Sequence, residues 1–332
     1  MFETKSGLRT IATLITAAAL LITATTPAQA AASYAKTVSY ISAQFVDGKY
    51  VVGFTAGKAD YGMTLEAMLQ LLAAGKDAKS QAVAVSYNLK STAYVGLSAT
   101  KTGALYTPDK RLKLGDAGKF LFTFAALKQS ANTLYKDVLA SVKASIAADG
   151  STPGDQNVYT SSWLVLGLKT IKENALAEKV AVKLASLSVP KTGGFADDQV
   201  ESANTASPDA TGIALQALAV TKGLGTKTEE ASKSAVINGA RAWIKSIAQT
   251  DANGSFINNW GDWNANSTEY VAMGLKATGS NISAYAKWIA SKISAADYGI
   301  QAGAWTNGAG NAYATIQGYV PLIGKSYLDL VK

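Results

Sequence analysis

A repeat of about fifty residues constrains the fold of this 332-residue chain more than any other feature. Glycine, any residue and then an aromatic or aliphatic residue recur five times, and a sixth glycine turn, Asp149-Gly150-Ser151, stands where another copy is expected. Successive turns lie 55, 47, 43, 61 and 49 residues apart. The complete copies are Gly48-Lys49-Tyr50, Gly103-Ala104-Leu105, Gly193-Gly194-Phe195, Gly254-Ser255-Phe256 and Gly303-Ala304-Trp305. Periods of this length are typical of stacked or ring-shaped architectures.

Each turn precedes a segment that is apolar almost all round, as in a helix buried on most sides. The predicted inner helices are Met63–Ala74, Asp116–Gln129, Tyr159–Ile171, Pro208–Val220, Ser267–Ala277 and Asn311–Ile323. Amphipathic segments alternate with them and predict outer helices. The clearest of these are Thr133–Ala147, Ala231–Ala248 and Ile282–Ile293, whereas Ser33–Gln44 and Ala78–Asn88 are less regular.

Twelve helices in six hairpins predict an all-α fold, an α6/α6 toroid with negligible sheet. An open solenoid is the alternative. Closure is favoured because all six inner helices are apolar and neither end of the array shows a polar capping repeat. The predicted organisation is a signal peptide over residues 1–30 and one toroid domain over residues 31–332.

The six turns, each leading into an inner helix, resemble the toroids of terpenoid cyclases and protein prenyltransferases. The run SPDATGIALQAL from Ser207 to Leu218, preceded by Gly193-Gly194-Phe195, is closer to the related toroid of intrinsic factor and transcobalamin. That toroid also occurs in exported bacterial proteins. The resemblance covers residues 31–332 and implies the architecture, with a corrinoid as one ligand to consider.

The same run resembles the Asp-x-Asp-Asp-Thr acid motif of class II terpene cyclases. With the motif's threonine placed at Thr211, its three acids fall on Ser207, Asp209 and Ala210, so only the central acid is present. A helix start explains the stretch as well, because serine is a favoured N-cap and proline suits the first helical position. Capping is the favoured interpretation, and no residue is assigned as catalytic. Asp209 and Glu269 remain as candidate acids.

The chain has neither histidine nor cysteine. Ser-His-Asp triads, Cys-His dyads, disulfides and histidine metal sites are therefore excluded, as is the zinc site that the prenyltransferase resemblance would require. No metal site and no cofactor are predicted. Any catalysis must use carboxylates, tyrosines or lysines.

The first thirty residues have the pattern of a secretory signal. Lys5 and Arg9 precede the apolar run Ile11–Ala24, and Ala28-Gln29-Ala30 matches a cleavage site. We expect cleavage after Ala30 and an extracytoplasmic protein without a transmembrane span; an uncleaved anchor is the alternative. The mature chain would carry a net charge of about +7 on scattered lysines, which favours an acidic cell-wall polymer or lipid headgroups over nucleic acid as a partner.

Links from outer to inner helices are long, so functional residues are expected at the rim where these links emerge. The positive ends of the inner helices also point there. Asn259, Trp260, Asp262 and Trp263 lie in the densest of these links, FINNWGDWN. The predicted ligand-binding residues are Tyr159, Asn204, Asp209, Asn259, Trp260, Asp262, Trp263 and Trp305.

Three functions are compatible with this pattern. The leading hypothesis is a non-catalytic exported binding protein that holds a small or medium-sized ligand, whether a corrinoid, a glycan or an isoprenoid. The first alternative is a carbohydrate-active enzyme, glycosidase or lyase, since toroids of this class host both. Its acids would come from Asp209, Glu269, Asp262, Asp198 and Glu66. A terpene-cyclase-like enzyme is the second alternative.

Overall fold

The computed structural model describes residues 27–53, 57–76, 79–81, 105–107, 109–131, 133–197, 205–259 and 261–332. Eleven α-helices lie wholly within this part of the chain. The inner helices are α2 (Tyr61–Ala73), α3 (Leu114–Ala126), α5 (Val158–Thr170), α7 (Pro208–Val220), α9 (Ala265–Ala277) and α11 (Ala312–Leu322). The outer helices are α1 (Pro27–Ala43), α4 (Thr133–Ser145), α6 (Asn174–Ala185), α8 (Lys227–Ile247) and α10 (Ser283–Ser291). The predicted outer helix Ala78–Asn88 lies mostly outside the described residues.

The six inner helices form a closed ring. Each contacts the next along the chain, and α11 contacts α2, so that the last repeat meets the first. Outer helix α1 also packs against both α2 and α11. The predicted α/α toroid is therefore confirmed, and the open solenoid is excluded. No helix in the described part of the chain is both long and apolar enough to cross a bilayer.

Glycines allow the inner helices to approach closely, as their small residues suggest. A Cβ on Gly118 of α3 would lie 2.6 Å from the Leu164 backbone nitrogen of α5. On α7, a Cβ on Gly212 would overlap the Tyr270 carbonyl of α9. The repeat turns use glycine for a different reason. Gly150 (φ 84°) and Gly254 (φ 137°) combine left-handed backbone with close contact to an outer helix, which only glycine tolerates.

Two small antiparallel sheets correct the prediction of negligible sheet. The first joins β1 (Phe45–Val46), β2 (Tyr50–Val52) and β3 (Ala59–Asp60), and the second joins β4 (Ala248–Asp251), β5 (Gly254–Asn259) and β6 (Asp262–Asn264). Both sheets lie in links from an outer to an inner helix. Their strands are two to six residues long, too short to show a reliable alternation of polar and apolar residues.

A threonine four residues after the N-cap ties the preceding link to its inner helix. The hydroxyl of Thr64 in α2 accepts the backbone N–H of Val51 at 2.9 Å. The same contact recurs at α7, α9 and α11. The pairs are Thr211 with Phe195 at 2.9 Å, Thr268 with Ile257 at 3.0 Å and Thr315 with Ile300 at 2.8 Å. In the sixth repeat the tied residue is Ile300, so Gly303-Ala304-Trp305 is not the equivalent turn.

The C-terminal segment closes one end of the ring. The 3-10 helix Tyr327–Leu330 places Tyr327, which is fully buried, among the C-terminal halves of the inner helices. The Gln216 side chain accepts the Tyr327 backbone N–H at 3.0 Å, and the ring of Tyr327 lies 5.5 Å from that of Trp163. The toroid is therefore filled at this end, and its axial space opens towards the N-termini of the inner helices.

Candidate functional site

A cavity of about 830 Å³ occupies the mouth of the toroid. Half of its lining comes from the inner helices, chiefly from their second and sixth residues counted from each N-cap, and the rest comes from the N-caps and the links before them. The second positions that line it are Gly115, Tyr159, Asp209, Asn266 and Tyr313. The sixth positions that line it are Glu66, Lys119, Trp163, Tyr270 and Gln317. Because all six inner helices begin at this end, their first two turns surround the cavity.

Asp209 is the carboxyl with the most perturbed surroundings on the wall. Its Oδ1 atom is buried and accepts no hydrogen bond from any described residue. Burial raises the pKa of Asp209 from 3.8 to about 6; the nearby charge of Asp197 adds to this rise, and a hydrogen bond with Ser267 opposes it. A group with this pKa carries a proton in part of the molecules near neutral pH.

The N-cap of α7 is Ser207, as predicted, and its side chain accepts the Ala210 backbone N–H at 3.4 Å. Pro208 occupies the first helical position. Thr211 points the other way, towards Phe195, and ties the preceding link. The stretch is therefore a helix start, yet its aspartate faces the cavity and takes no part in the cap.

Glu66 and Lys119 form a buried ion pair across the boundary between α2 and α3. The Tyr270 hydroxyl also approaches both Glu66 oxygens, at 3.3 and 3.4 Å. Burial alone would lower the pKa of Lys119, but the charge and hydrogen bond of Glu66 outweigh it and raise that pKa. The ammonium also lies 4.8 Å from the centre of the Trp163 ring. The Glu66–Lys119 ion pair therefore stabilises the part of the wall opposite Asp209.

Glu269, the second candidate acid, lies behind the wall rather than on it. Its side chain is fully buried, and neither carboxylate oxygen has a hydrogen-bond partner among the described residues. Burial raises the pKa of Glu269 well above its ordinary value, and the charges of Asp209 and Glu66 raise it further. Gly318 of α11 leaves the room that this carboxyl occupies, since a Cβ there would overlap it. Glu269 therefore keeps its proton to higher pH than an ordinary glutamate does.

Two tyrosines supply hydroxyl groups near Asp209. Burial raises the pKa of Tyr313 to about 12, with a further contribution from the charge of Glu66. Burial also raises the pKa of Tyr159, as do the charges of Asp209 and Asp197. Both phenols therefore stay protonated at neutral pH and can donate hydrogen bonds into the cavity. The predicted placement of Tyr159 at the rim agrees with its position on the wall.

Trp305 stands at the entrance with 66% of its surface exposed. Asp262 accepts the Ala304 backbone N–H at 3.2 Å and so anchors the 3-10 turn Ala304–Thr306 that carries this ring. A large flat ring held in solvent by a fixed turn suits stacking against the apolar face of another ring. Trp305 is therefore the aromatic platform of the mouth.

Among the described residues that were predicted to bind ligand, Asn259, Asp262 and Trp263 are not on the cavity wall. Trp263 packs edge-on against Trp288 at 5.5 Å and lies 4.3 Å beneath Lys292, so it fixes its link to α10. Asn259 donates to the Ser267 hydroxyl at 3.0 Å and acts on the cavity only through that serine. Asn204, Trp260 and the acid Asp198 lie outside the described residues.

Several lining residues were not singled out from sequence, among them Lys119, Trp163, Tyr270, Asn266 and Gln317. Asn266 donates to Gln317 at 2.7 Å, so the amides of two adjacent inner helices form a polar strip. Asp155 also lines the cavity, but its carboxylate stabilises the start of α3, since it accepts the Leu114 backbone N–H at 2.9 Å. The lining residues could have been predicted from their position in each inner helix relative to the N-cap. Within the described ranges, no three acidic, histidine or cysteine side chains converge on a possible metal site.

No known protein family and no curated protein matches the sequence. Solved structures do match. An unsaturated glucuronyl hydrolase from Bacillus sp. GL1, responsible for the degradation of glycosaminoglycan, is 12% identical with a TM-score of 0.59 over 89% of this chain and 96% of its own. An unsaturated glucuronyl hydrolase specific for heparin is 10% identical, with a TM-score of 0.60 over 89% of this chain and 95% of its own. An inactive variant of an α-1,6-mannanase from Salegentibacter sp. HEL1_6, in complex with α-1,6-mannotriose, is 11% identical. Its TM-score is 0.59 over 90% of this chain and 99% of its own.

These neighbours correct the functional prediction. All three are carbohydrate-active enzymes, which contradicts the leading hypothesis of a non-catalytic binding protein and favours the alternative of a glycosidase or lyase. The resemblance to terpenoid cyclases and to intrinsic factor extends only to the toroid. At 10–12% identity the similarity establishes the fold, and the reaction depends on the chemistry of the cavity.

Proposed function

We propose that this protein is a glycoside hydrolase that uses Asp209 as its general acid. The observation that carries the proposal is the buried Asp209 carboxyl on the cavity wall, whose pKa is about 6. A general acid works best when its pKa lies near the operating pH, because it must hold a proton and also release it. An aspartate at its ordinary pKa of 3.8 would be almost fully ionised at neutral pH.

The proposed step is protonation of the glycosidic oxygen by Asp209 as the bond to the anomeric carbon breaks. A second carboxylate activates the water that supplies the new hydroxyl group. Asp197 is our choice for this role, because it lines the same cavity and its charge acts directly on Asp209. The raised pKa of Glu269 favours its neutral form, which adds no negative charge beside Asp209.

The cavity has the features of a sugar site. Its volume of about 830 Å³ lies within the range of small-molecule pockets, roughly 300–1,000 Å³. Asn266 and Gln317 offer amides to sugar hydroxyls, and Trp305 offers a stacking surface to a unit at the entrance. An oligosaccharide would then bind with one end deep in the ring and the other at the mouth. The neighbours' names support this class, since they act on or bind glycans.

The test is hydrolysis of a panel of oligosaccharides, followed by mass spectrometry of the products. The panel should include unsaturated glycosaminoglycan oligosaccharides and α-1,6-linked manno-oligosaccharides. On the substrate that is cleaved, Asp209→Asn should lower kcat by at least about a hundredfold. The wild-type kcat should fall as pH rises above about 6, because Asp209 must be protonated.

Trp305→Ala should raise KM about tenfold and leave kcat nearly unchanged, because the ring touches substrate away from the broken bond.

Asp116→Asn is the matched control for Asp209→Asn. Asp116 also lines the cavity, but it lies at the rim in a salt bridge of 3.3 Å with Lys113. Hydrolysis by Asp209→Asn at the wild-type rate would refute the assignment of the acid.

We also propose that the enzyme acts outside the cytoplasm as a single toroid of residues 31–332 and without a cofactor. The support for export is the Lys5, Arg9, Ile11–Ala24 and Ala28-Gln29-Ala30 pattern of the first thirty residues. The support for cofactor-free chemistry is that protonation and water activation need only the carboxyl groups already on the wall.

A further inference from the structure

The face opposite the cavity mouth carries one lysine for each inner helix. In every repeat a lysine lies in the last turn of the inner helix or within three residues after its end. These lysines are Lys76, Lys128, Lys172, Lys222, Lys276 and Lys325. Five of them are exposed, and Lys276 is partly buried. We call this set the basic ring.

The charges of the basic ring are not neutralised within the described part of the chain. None of its six lysines forms a salt bridge there. Acids near this face pair with other cations instead. Glu173 forms a salt bridge with Lys143 at 2.8 Å, and the buried Lys233 forms salt bridges with both Glu178 and Glu230 at 2.7 Å. Three described acids near this face are thus paired with other cations, while the ring lysines form no salt bridge.

Helix dipoles explain part of this pattern, because cations near helix C-termini are stabilising. They do not explain where two of the lysines stand. Lys128 and Lys172 occupy the left-handed position just after the cap, with φ of 58° and 67°. Gly75, whose φ is 69°, fills this position at the end of α2, as Gly279 and Gly324 do after α9 and α11. In the left-handed conformation a lysine has a conformational cost that a glycine does not have. A lysine one turn earlier in the helix would interact with the helix dipole without this cost.

A depression of about 380 Å³ lies between the ends of α2 and α3, within the basic ring. Lys76, Lys79 and Lys128 surround it, and Leu72 and Leu127 contribute an aliphatic side. Ammonium groups around a partly apolar hollow match a phosphate attached to a glycerol unit. The depression therefore suits a lipid headgroup within a larger charged surface.

We propose that the basic ring is a docking surface for an anionic phospholipid membrane. The inner helices are 11 to 13 residues long and begin at the same end of the toroid, so five of the lysines lie at nearly one level and Lys276 lies about one turn nearer the mouth. A level ring fits a planar array of phosphates better than it fits a single polymer thread. Among the described residues only Val46 and Trp305 are exposed large hydrophobics, and both belong to links on the mouth side, so the docking is electrostatic. It leaves the mouth facing away from the membrane.

The test is sedimentation of the mature chain with vesicles of phosphatidylcholine, with and without phosphatidylglycerol, at about 0.1 M salt. We expect binding only when phosphatidylglycerol is present. Each lysine near an anionic surface contributes about a fivefold factor in partitioning. The triple variant Lys76→Gln, Lys128→Gln, Lys172→Gln should therefore bind about a hundredfold less tightly.

The matched control removes three exposed lysines elsewhere: Lys179→Gln, Lys191→Gln, Lys245→Gln. It makes the same change in net charge and should weaken binding by less than about threefold. Equal loss in the two triple variants would overturn the proposal, because net charge alone would then account for binding. Binding to neutral vesicles, loss of binding in Trp305→Ala, or binding to soluble polyphosphate but not to vesicles would also overturn it. Glycan hydrolysis is measured separately without vesicles, so the two proposals fail independently.

Discussion

Replacing Asp209 by asparagine should make the folded protein more stable at neutral pH. The pKa of this carboxyl rises from 3.8 to about 6 on folding, chiefly through burial. At about 1.4 kcal/mol per pH unit, this rise corresponds to about 3 kcal/mol spent on holding the ionised carboxylate in the folded state. Asparagine removes that cost but also loses an attraction to the helix N-terminus of about 0.3–1 kcal/mol. The net gain expected at pH 7.5 is about 2 kcal/mol.

The gain should depend on pH. Because the folded pKa is raised, the folded state binds the proton more tightly than the unfolded state does. The contribution of Asp209 to wild-type stability is therefore most favourable below about pH 4 and is lost as pH rises through about 6. The asparagine variant has no such group, so its advantage should vanish near pH 3.5 and reach its full size above pH 7. Glu269 titrates in both proteins, but its pKa should be lower in the variant, because the charge of Asp209 that helps to raise it is absent.

Chemical denaturation at several pH values measures both effects, and thermal unfolding at pH 7.5 should show a midpoint about 3 °C higher for the variant. Asp116→Asn is the control, since that carboxyl is partly exposed at the rim and its loss should change stability by less than about 0.5 kcal/mol. A less stable Asp209→Asn at pH 7.5, or a difference independent of pH, would show that the aspartate is a solvated part of the helix start.

Three further results are expected. Thr268→Val should cost about 1–3 kcal/mol in thermal unfolding, because the buried Ile257 N–H loses its acceptor, whereas Thr268→Ser should cost much less. Tyr327→Ala should cost about 3–5 kcal/mol in urea unfolding by emptying the closed end of the ring, and an equal loss in Tyr327→Phe would contradict this explanation. N-terminal sequencing of secreted protein should begin at Ala31; protein that begins at Met1 would favour the anchor.

The toroid could be predicted because its main determinant is repeated. Each inner helix is apolar on nearly all sides, so it needs neighbours on both flanks, and six such helices satisfy one another by closing. The short sheets could not be predicted, because contacts outside the strands hold them. Ile257 is fixed by Thr268 from the following helix, and Val51 by Thr64 in the same way. Trp305 was assigned by its spacing to the repeat turn and also to the rim; the structure has it exposed at the mouth, whereas the equivalent turn residue is Ile300.

The cavity wall was only partly predictable from sequence. Charged and aromatic residues within helices predicted to be buried look like exceptions until the helices are aligned by their N-caps. Glu66, Lys119 and Tyr270 then share one position, six residues after the cap. Their mutual contacts join residues that are 53 and 204 positions apart in the chain, and only the closed ring brings them together. A local motif cannot reveal such a site.

The stretch SPDAT shows why a local pattern left the role of its aspartate open. Ser207 and Thr211 lie four residues apart and both serve the helix start, one as its cap and the other as the tie to Phe195. Asp209, midway between them, projects towards the axis of the toroid. The helix dipole there favours the charged form by at most about 1 kcal/mol, and burial opposes it by about 3 kcal/mol. Burial wins, so the same five residues cap a helix and place a protonatable acid in the cavity.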